Sequence, residues 1–141
     1  MQRKKIAIRF LSQQGNTKKI AQAMADELGV PALDISHPVE QADILFLGCS
    51  IHWLSVDKEM KNFIHQLDKE KIKKVVVFST SLFLERAYPQ IKELLLKQGI
   101  PVENRSFNCH GMCLHLYQNC PNEDDIYDAR RFVKVLSEKL D

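Results

Sequence analysis

Six consecutive small or amide-bearing residues, Ser12, Gln13, Gln14, Gly15, Asn16 and Thr17, lie between a short apolar run and an amphipathic segment. A neutral, donor-rich turn that enters a helix is suited to holding phosphate. The helix start contributes unpaired N–H groups and the positive end of its dipole, and Ser12, Asn16 and Thr17 add side-chain donors. Gly15 alone tolerates a left-handed or crowded backbone. The stretch is neither G-x-x-x-x-G-K-[ST] nor G-x-G-x-x-G. It therefore points to a phosphomonoester held by neutral groups, and away from ATP or a dinucleotide.

Three other segments carry residues able to meet a ligand. Cys49–Val56 reads C-S-I-H-W-L-S-V and holds Trp53, the single tryptophan. An indole on a loop is either a platform for a planar ring or a side chain lying back on the core. Ser79, Thr80, Ser81 and Leu82 follow the fourth apolar run, and their small hydroxyl residues leave backbone groups open to the edge of a heterocycle. Phe83 beyond them is either a second stacking face or core filling. Cys109–Pro121 holds three of the four cysteines and two of the five histidines. Cys109, Cys113, His115 and Cys120 match no paired zinc-ligand signature. The favoured reading is thiols lining a loop, with neither a metal nor a redox pair. His110 next to Gly111 is placed to face a ligand and to titrate near neutral pH. Arg9 is a charge within an apolar strand and requires a partner, for which Asp34 and Asp43 are the carboxylates at hand.

The elements that must position these loops alternate along the chain. Apolar or β-branched runs at Lys5–Leu11, Val30–Ile35, Asp43–Gly48, Val75–Phe78 and Val102–Phe107 predict strands. Helical periodicity predicts helices over Thr17–Leu28, Asp57–Leu67, Tyr88–Gln98 and Asn122–Leu140. Pro31 places the second strand at a sheet edge. Continuous apolar strands between helices imply an α/β parallel sheet, doubly wound, with helices on both faces. Ligands on such sheets bind beyond the carboxyl ends of the strands, where the order reverses, so the loops after strands one, three, four and five should converge.

The bulk numbers fit one domain spanning 1–141. At 141 residues, 45% apolar and 27% charged, the chain is long enough to bury roughly 70% of its unfolded surface. A net charge of +2 with scattered lysines gives no case for nucleic acid. No run approaches the roughly 20 apolar residues of a membrane span. The charged N-terminus, running directly into a strand, is unlike a signal peptide. The expected location is therefore cytoplasmic, with reduced thiols.

These residues resemble the flavodoxin family. Ser12–Thr17 is similar to that family's S-x-T-G-N-T loop, which wraps the phosphate of FMN. Asp43–Gly48 with Ser50–Trp53, Val75–Ser81, Ser106–Gly111 and Pro121–Ala129 resemble its later segments, in order, over nearly the whole chain. The last of these is similar to small bacterial members. The resemblance implies strand order 2-1-3-4-5 and FMN bound without a covalent bond. Phosphate would contact Ser12, Gln13, Gln14, Gly15, Asn16 and Thr17. The ring would lie between Ser50, Ile51, His52, Trp53 and Leu54 on one side and Ser79, Thr80, Ser81 and Leu82 on the other. Cys109, His110 and Gly111 would meet its pyrimidine end. The implied role is an electron carrier, monomer or weak dimer, serving a reductase. The alternatives are a flavin enzyme such as a quinone reductase or a protoporphyrinogen oxidase-like protein, and a binding module that has lost FMN. The sequence departs from the family pattern in three respects. Gln14 stands where threonine is usual, exchanging a hydroxyl donor for an amide. Leu54 stands where many relatives have glycine, which implies weaker semiquinone stabilisation and makes two-electron behaviour possible. The near-neutral charge differs from strongly acidic flavodoxins.

Overall fold

The computed structural model describes residues 4–12, 15–51, 56–81, 87–109 and 121–139. Its elements run β1 (Ile6–Leu11), α1 (Asn16–Leu28), β2 (Ala32–Asp34), β3 (Ile44–Ile51), α2 (Lys58–His65), β4 (Val75–Ser81), α3 (Ala87–Lys97), β5 (Phe107–Cys109) and α4 (Glu123–Lys139). The five strands form one sheet in the order β2-β1-β3-β4-β5, and every pair is parallel. The expected doubly wound order 2-1-3-4-5 is thus the observed one.

Strand alternation divides the core into two layers. Ile8, Phe10, Ile44, Phe46, Val76 and Phe78 point to one face, where Ile20 and Met24 of α1 and Val133 and Leu136 of α4 cover them. Leu45, Leu47, Val75 and Val77 point to the other, under Met60, Phe63 and Ile64 of α2 and Ile91 and Leu95 of α3. A strand buried on both faces has no polar side to show, hence the continuous apolar runs.

The strand–helix alternation fails once. Residues 35–43, between β2 and β3, contain no helix. Asp34 accepts hydrogen bonds from the N–H and hydroxyl of Ser36, a local turn that competes with helix formation, and Pro38 lacks the N–H that a helix interior needs. Ile35 and Val39 pack on the α2/α3 layer in place of a helix. Arg9 fastens this strap: its Nε donates to His37 O at 2.9 Å, Nη2 to Pro38 O at 3.3 Å and Nη1 to Ile8 O at 2.9 Å. The partners of Arg9 are therefore chiefly carbonyls. Asp34 acts on the guanidinium only through its field, opposing the larger effect of burial, which lowers the pKa. Asp43 is occupied elsewhere, by Lys5 N–H at 2.7 Å and Lys73 at 3.2 Å.

Two strands end differently from the sequence expectation. β4 continues through Ser79, Thr80 and Ser81, which pair with Cys49, Ser50 and Ile51 of β3. The S-T-S stretch is therefore strand, and β3 likewise extends through Ser50 and Ile51. The fifth strand is shorter than Val102–Phe107. Val102 makes one bridge to Val75, and regular pairing begins only at Phe107 opposite Phe78. Between these two contacts β4 advances three residues and its partner five. The intervening chain bends at Glu103, whose buried carboxylate takes Lys74 at 3.1 Å and Arg105 at 2.9 Å.

Candidate functional site

The carboxyl ends of β1, β3, β4 and β5 lie side by side. Leu11 is opposite Cys49, Ser50 opposite Thr80, Ile51 opposite Ser81, and Thr80 opposite Cys109. The four loops singled out by sequence therefore leave the same edge of the sheet.

At the end of β1 the chain turns sharply into α1. Ser12 Oγ accepts the N–H of Gly15 at 3.0 Å. Gly15 adopts φ 86° at the N-cap of α1. A Cβ at this glycine would meet nothing within 4 Å, so the left-handed backbone, and not crowding, calls for glycine here. A glycine has no side chain with which to cap its own helix, and no acidic residue occupies the first turn of α1. Lys18 and Lys19, both exposed, follow directly.

The start of α4 is built in the opposite way. Asn122 Oδ1 accepts the N–H of Asp125 at 3.0 Å, and the Asn122 N–H donates to Asp125 Oδ2 at 2.9 Å. This reciprocal cap, with Glu123, Asp124 and Asp125 in the first turn, answers both the orphan donors and the dipole of α4 from within the chain.

Behind the β1–α1 turn, Thr17 reaches across to β4. Its Oγ1 lies 2.7 Å from Thr80 Oγ1, with Thr17 0% and Thr80 1% exposed. On the other face of β4, Ser79 Oγ donates to Asn108 Oδ1 at 2.5 Å, and Asn108 Nδ2 donates to Ser106 Oγ at 3.3 Å. Adjacent residues of a strand point to opposite faces, so Ser79 lies on the α2/α3 face, in phase with Val75 and Val77, and Thr80 on the α1 face. The sequence reading missed Asn108. Its signal is a polar residue between the buried Phe107 and Cys109 in a strand.

Cys49 and Cys109 are both buried. Burial, with the nearby charge of Asp57 as a lesser cause, pushes the Cys49 thiol up to about 12. Cys49 is therefore a packing group and not a nucleophile. Among the described residues no group of His, Cys, Asp or Glu could hold a metal. Gln13, Gln14, His52, Trp53, Leu54, Leu82, Phe83, His110, Gly111, Cys113, His115 and Cys120 lie outside the described residues. No helix among the described residues is long and apolar enough to cross a membrane.

A family profile described as flavodoxin domain matches residues 7–112, from β1 past the end of β5. The chain belongs to the flavodoxin family. An uncharacterised protein of Methanocaldococcus jannaschii is 29% identical over 136 residues, covering 86% of this chain and 89% of that relative. A solved flavodoxin from the domain Archaea superposes with a TM-score of 0.75 at 17% identity, covering 96% of this chain and 97% of the other. An NAD(P)H:quinone oxidoreductase from Methanothermobacter marburgensis shares the architecture with a TM-score of 0.63 at 14% identity, over 96% of this chain and 100% of its own. At such identities the two structures establish the flavodoxin fold alone. A flavodoxin and a quinone oxidoreductase thus share this chain's architecture.

Proposed function

We propose that this flavodoxin-family chain binds one FMN at the β1–α1 turn and passes electrons between that flavin and a redox partner protein, a reductase. The observation that carries the reading is the contrast between two helix starts. α4 is closed by its own Asn122 and Asp125, whereas α1 begins at a glycine, with no acid in its first turn and lysines behind it. An acidic first turn stabilises an isolated helix but repels a phosphate; its omission at α1 leaves that dipole to an anion.

The donor set suits a phosphomonoester. Ser12 and Thr17 offer neutral hydroxyls, Gly15 turns the backbone so that the following N–H groups face one point, and Lys18 and Lys19 supply a diffuse positive field. Gln13, Gln14 and Asn16 complete the proposed phosphate contacts. Ser50, Ile51, His52, Trp53 and Leu54 on one side, and Ser79, Thr80, Ser81 and Leu82 on the other, would flank the ring, with Cys109, His110 and Gly111 at its far edge. Because the side chains of Ser79 and Thr80 are engaged within the protein, their part at the ring falls to the backbone. The bound flavin supplies the redox chemistry, and the chain holds and orients it.

A stand-alone flavin oxidoreductase is the second reading, favoured by the shared architecture with a quinone oxidoreductase and by the near-neutral charge of +2. Steady-state oxidation of NAD(P)H by the FMN-loaded protein separates the two. Turnover without an added reductase supports the enzyme, and a nearly inert protein supports the carrier.

A further inference from the structure

We infer that the Thr80 side chain is a positioning group for the phosphate subsite, acting through Thr17, and that its hydroxyl does not contact the flavin ring. The inference rests on the FMN reading above. Loop order alone puts Thr80 with the ring, since Ser79–Ser81 lie at the end of β4. The geometry points elsewhere. Thr80 is 1% exposed, and its hydroxyl is turned to the α1 face, 2.7 Å from Thr17 Oγ1.

A threonine hydroxyl has one proton and two acceptor sites. At 2.7 Å one of the two hydroxyls must donate to the other. If Thr17 donates, its oxygen presents only lone pairs to a phosphate, which repels them. If Thr80 donates, Thr17 keeps its own proton for a phosphate oxygen. A bound phosphate therefore selects the order Thr80 to Thr17 to phosphate, a rotation of two hydroxyls with no bond made or broken. The same bond ties the first turn of α1 to strand β4, between β3 and β5, fixing the direction in which that turn's N–H groups point. Thr17 lies one helical turn before Ala21, which is 0% exposed, so the anchored turn sits on a rigid packed layer.

FMN and riboflavin differ only in the phosphate, and their affinities for one variant separate the two subsites. Thr80→Val leaves the buried Thr17 oxygen without its donor and unties the first turn of α1 from β4, and is expected to weaken FMN about tenfold while riboflavin changes less than about twofold. Thr80→Ser, which keeps the hydroxyl, should restore FMN affinity to within about twofold of the wild type. In a Thr17→Val background, Thr80→Val should add no further loss, because the two act as one unit. Thr80→Ala, with the same expected pattern, serves if the valine variant does not fold. Equal weakening of FMN and riboflavin would overturn the inference by assigning Thr80 to the ring, as would unchanged FMN affinity or additive losses in the double variant. A wild-type protein that binds neither flavin, or binds riboflavin as tightly as FMN, would contradict the FMN reading itself and this inference with it.

Discussion

Gly48 of β3 lies directly opposite Phe78 of β4, and the phenyl ring occupies the space a side chain at residue 48 would need. An added Cβ would fall 2.2 Å from Phe78 Cε2. The ring is fully buried under α1 and α4 and has nowhere to withdraw. Gly48→Ala is therefore expected to destabilise the protein by about 3 kcal/mol, the upper part of the range for overpacked cores. Urea unfolding measures this. Part of the loss should return in Gly48→Ala/Phe78→Leu, where the smaller side chain makes room. Full stability in the single variant would mean that the ring moves freely.

The strap over β1 gives a second test. Arg9→Met keeps much of the aliphatic stem but leaves the carbonyls of His37 and Pro38 without their donor. The expected cost is about 1–3 kcal/mol. Amide exchange should quicken at Ile35, whose N–H bonds to Phe10 O at 3.0 Å. Exchange at Val76 and Val77, in the sheet centre, should change only as far as global stability does.

How much of this was legible in the sequence depends on where each residue's partners lie. The strands and helices follow from apolar runs and 3.6-residue periods, because those signals reflect burial that every residue of an element shares; the strand order follows from the resemblance to the flavodoxin family, not from these patterns. The strap was not legible: Arg9 bonds mainly to backbone carbonyls, which leave no mark on residue type, so a carboxylate partner was the natural expectation. The ends of β4 and β5 were misread for a related reason. Ser79–Ser81 look like loop because hydroxyl residues are costly in a buried strand, yet Thr17 and Asn108 satisfy Thr80 and Ser79 from neighbouring elements. Thr17 is 63 residues from Thr80 in sequence, beyond any local pattern. The turn from β1 into α1 was legible because the residues that build it are local. Trp53 and His110 lie outside the described residues.

Acid sensitivity should localise to the bend before β5. Burial of Glu103 would raise its pKa, but hydrogen bonds and charge from Arg105 and Lys74 outweigh it, and the net shift is downward. A carboxylate with a lowered folded-state pKa stabilises the fold above its ordinary pKa, and that stabilisation is lost as pH falls through the folded value. Glu103→Gln should cost about 1 kcal/mol at pH 7. It should also flatten the decline in stability between about pH 5 and pH 3. A variant whose urea midpoint falls with pH as steeply as the wild type would show that Glu103 contributes nothing to acid unfolding.

Thiol labelling reads out the packing beneath the site. With its pKa pushed up to about 12 by burial, Cys49 should resist iodoacetamide in the native protein at pH 8 and react fully after unfolding in urea. Peptide mapping by mass spectrometry distinguishes it from the other three cysteines. Rapid native labelling of Cys49 would show that the end of β3 opens, and would remove the rigid floor assumed for the ring-binding loops.

Titration of the purified, flavin-free protein with FMN tests the central claim most directly, followed by flavin absorbance and by the fluorescence of Trp53, the single tryptophan. The account predicts saturation at one FMN per chain, quenched Trp53 emission, and binding of riboflavin at least about tenfold weaker, since the α1 start and the Ser12 and Thr17 hydroxyls would then have no phosphate to hold. A protein whose flavin spectrum and tryptophan emission do not change on adding FMN would contradict it.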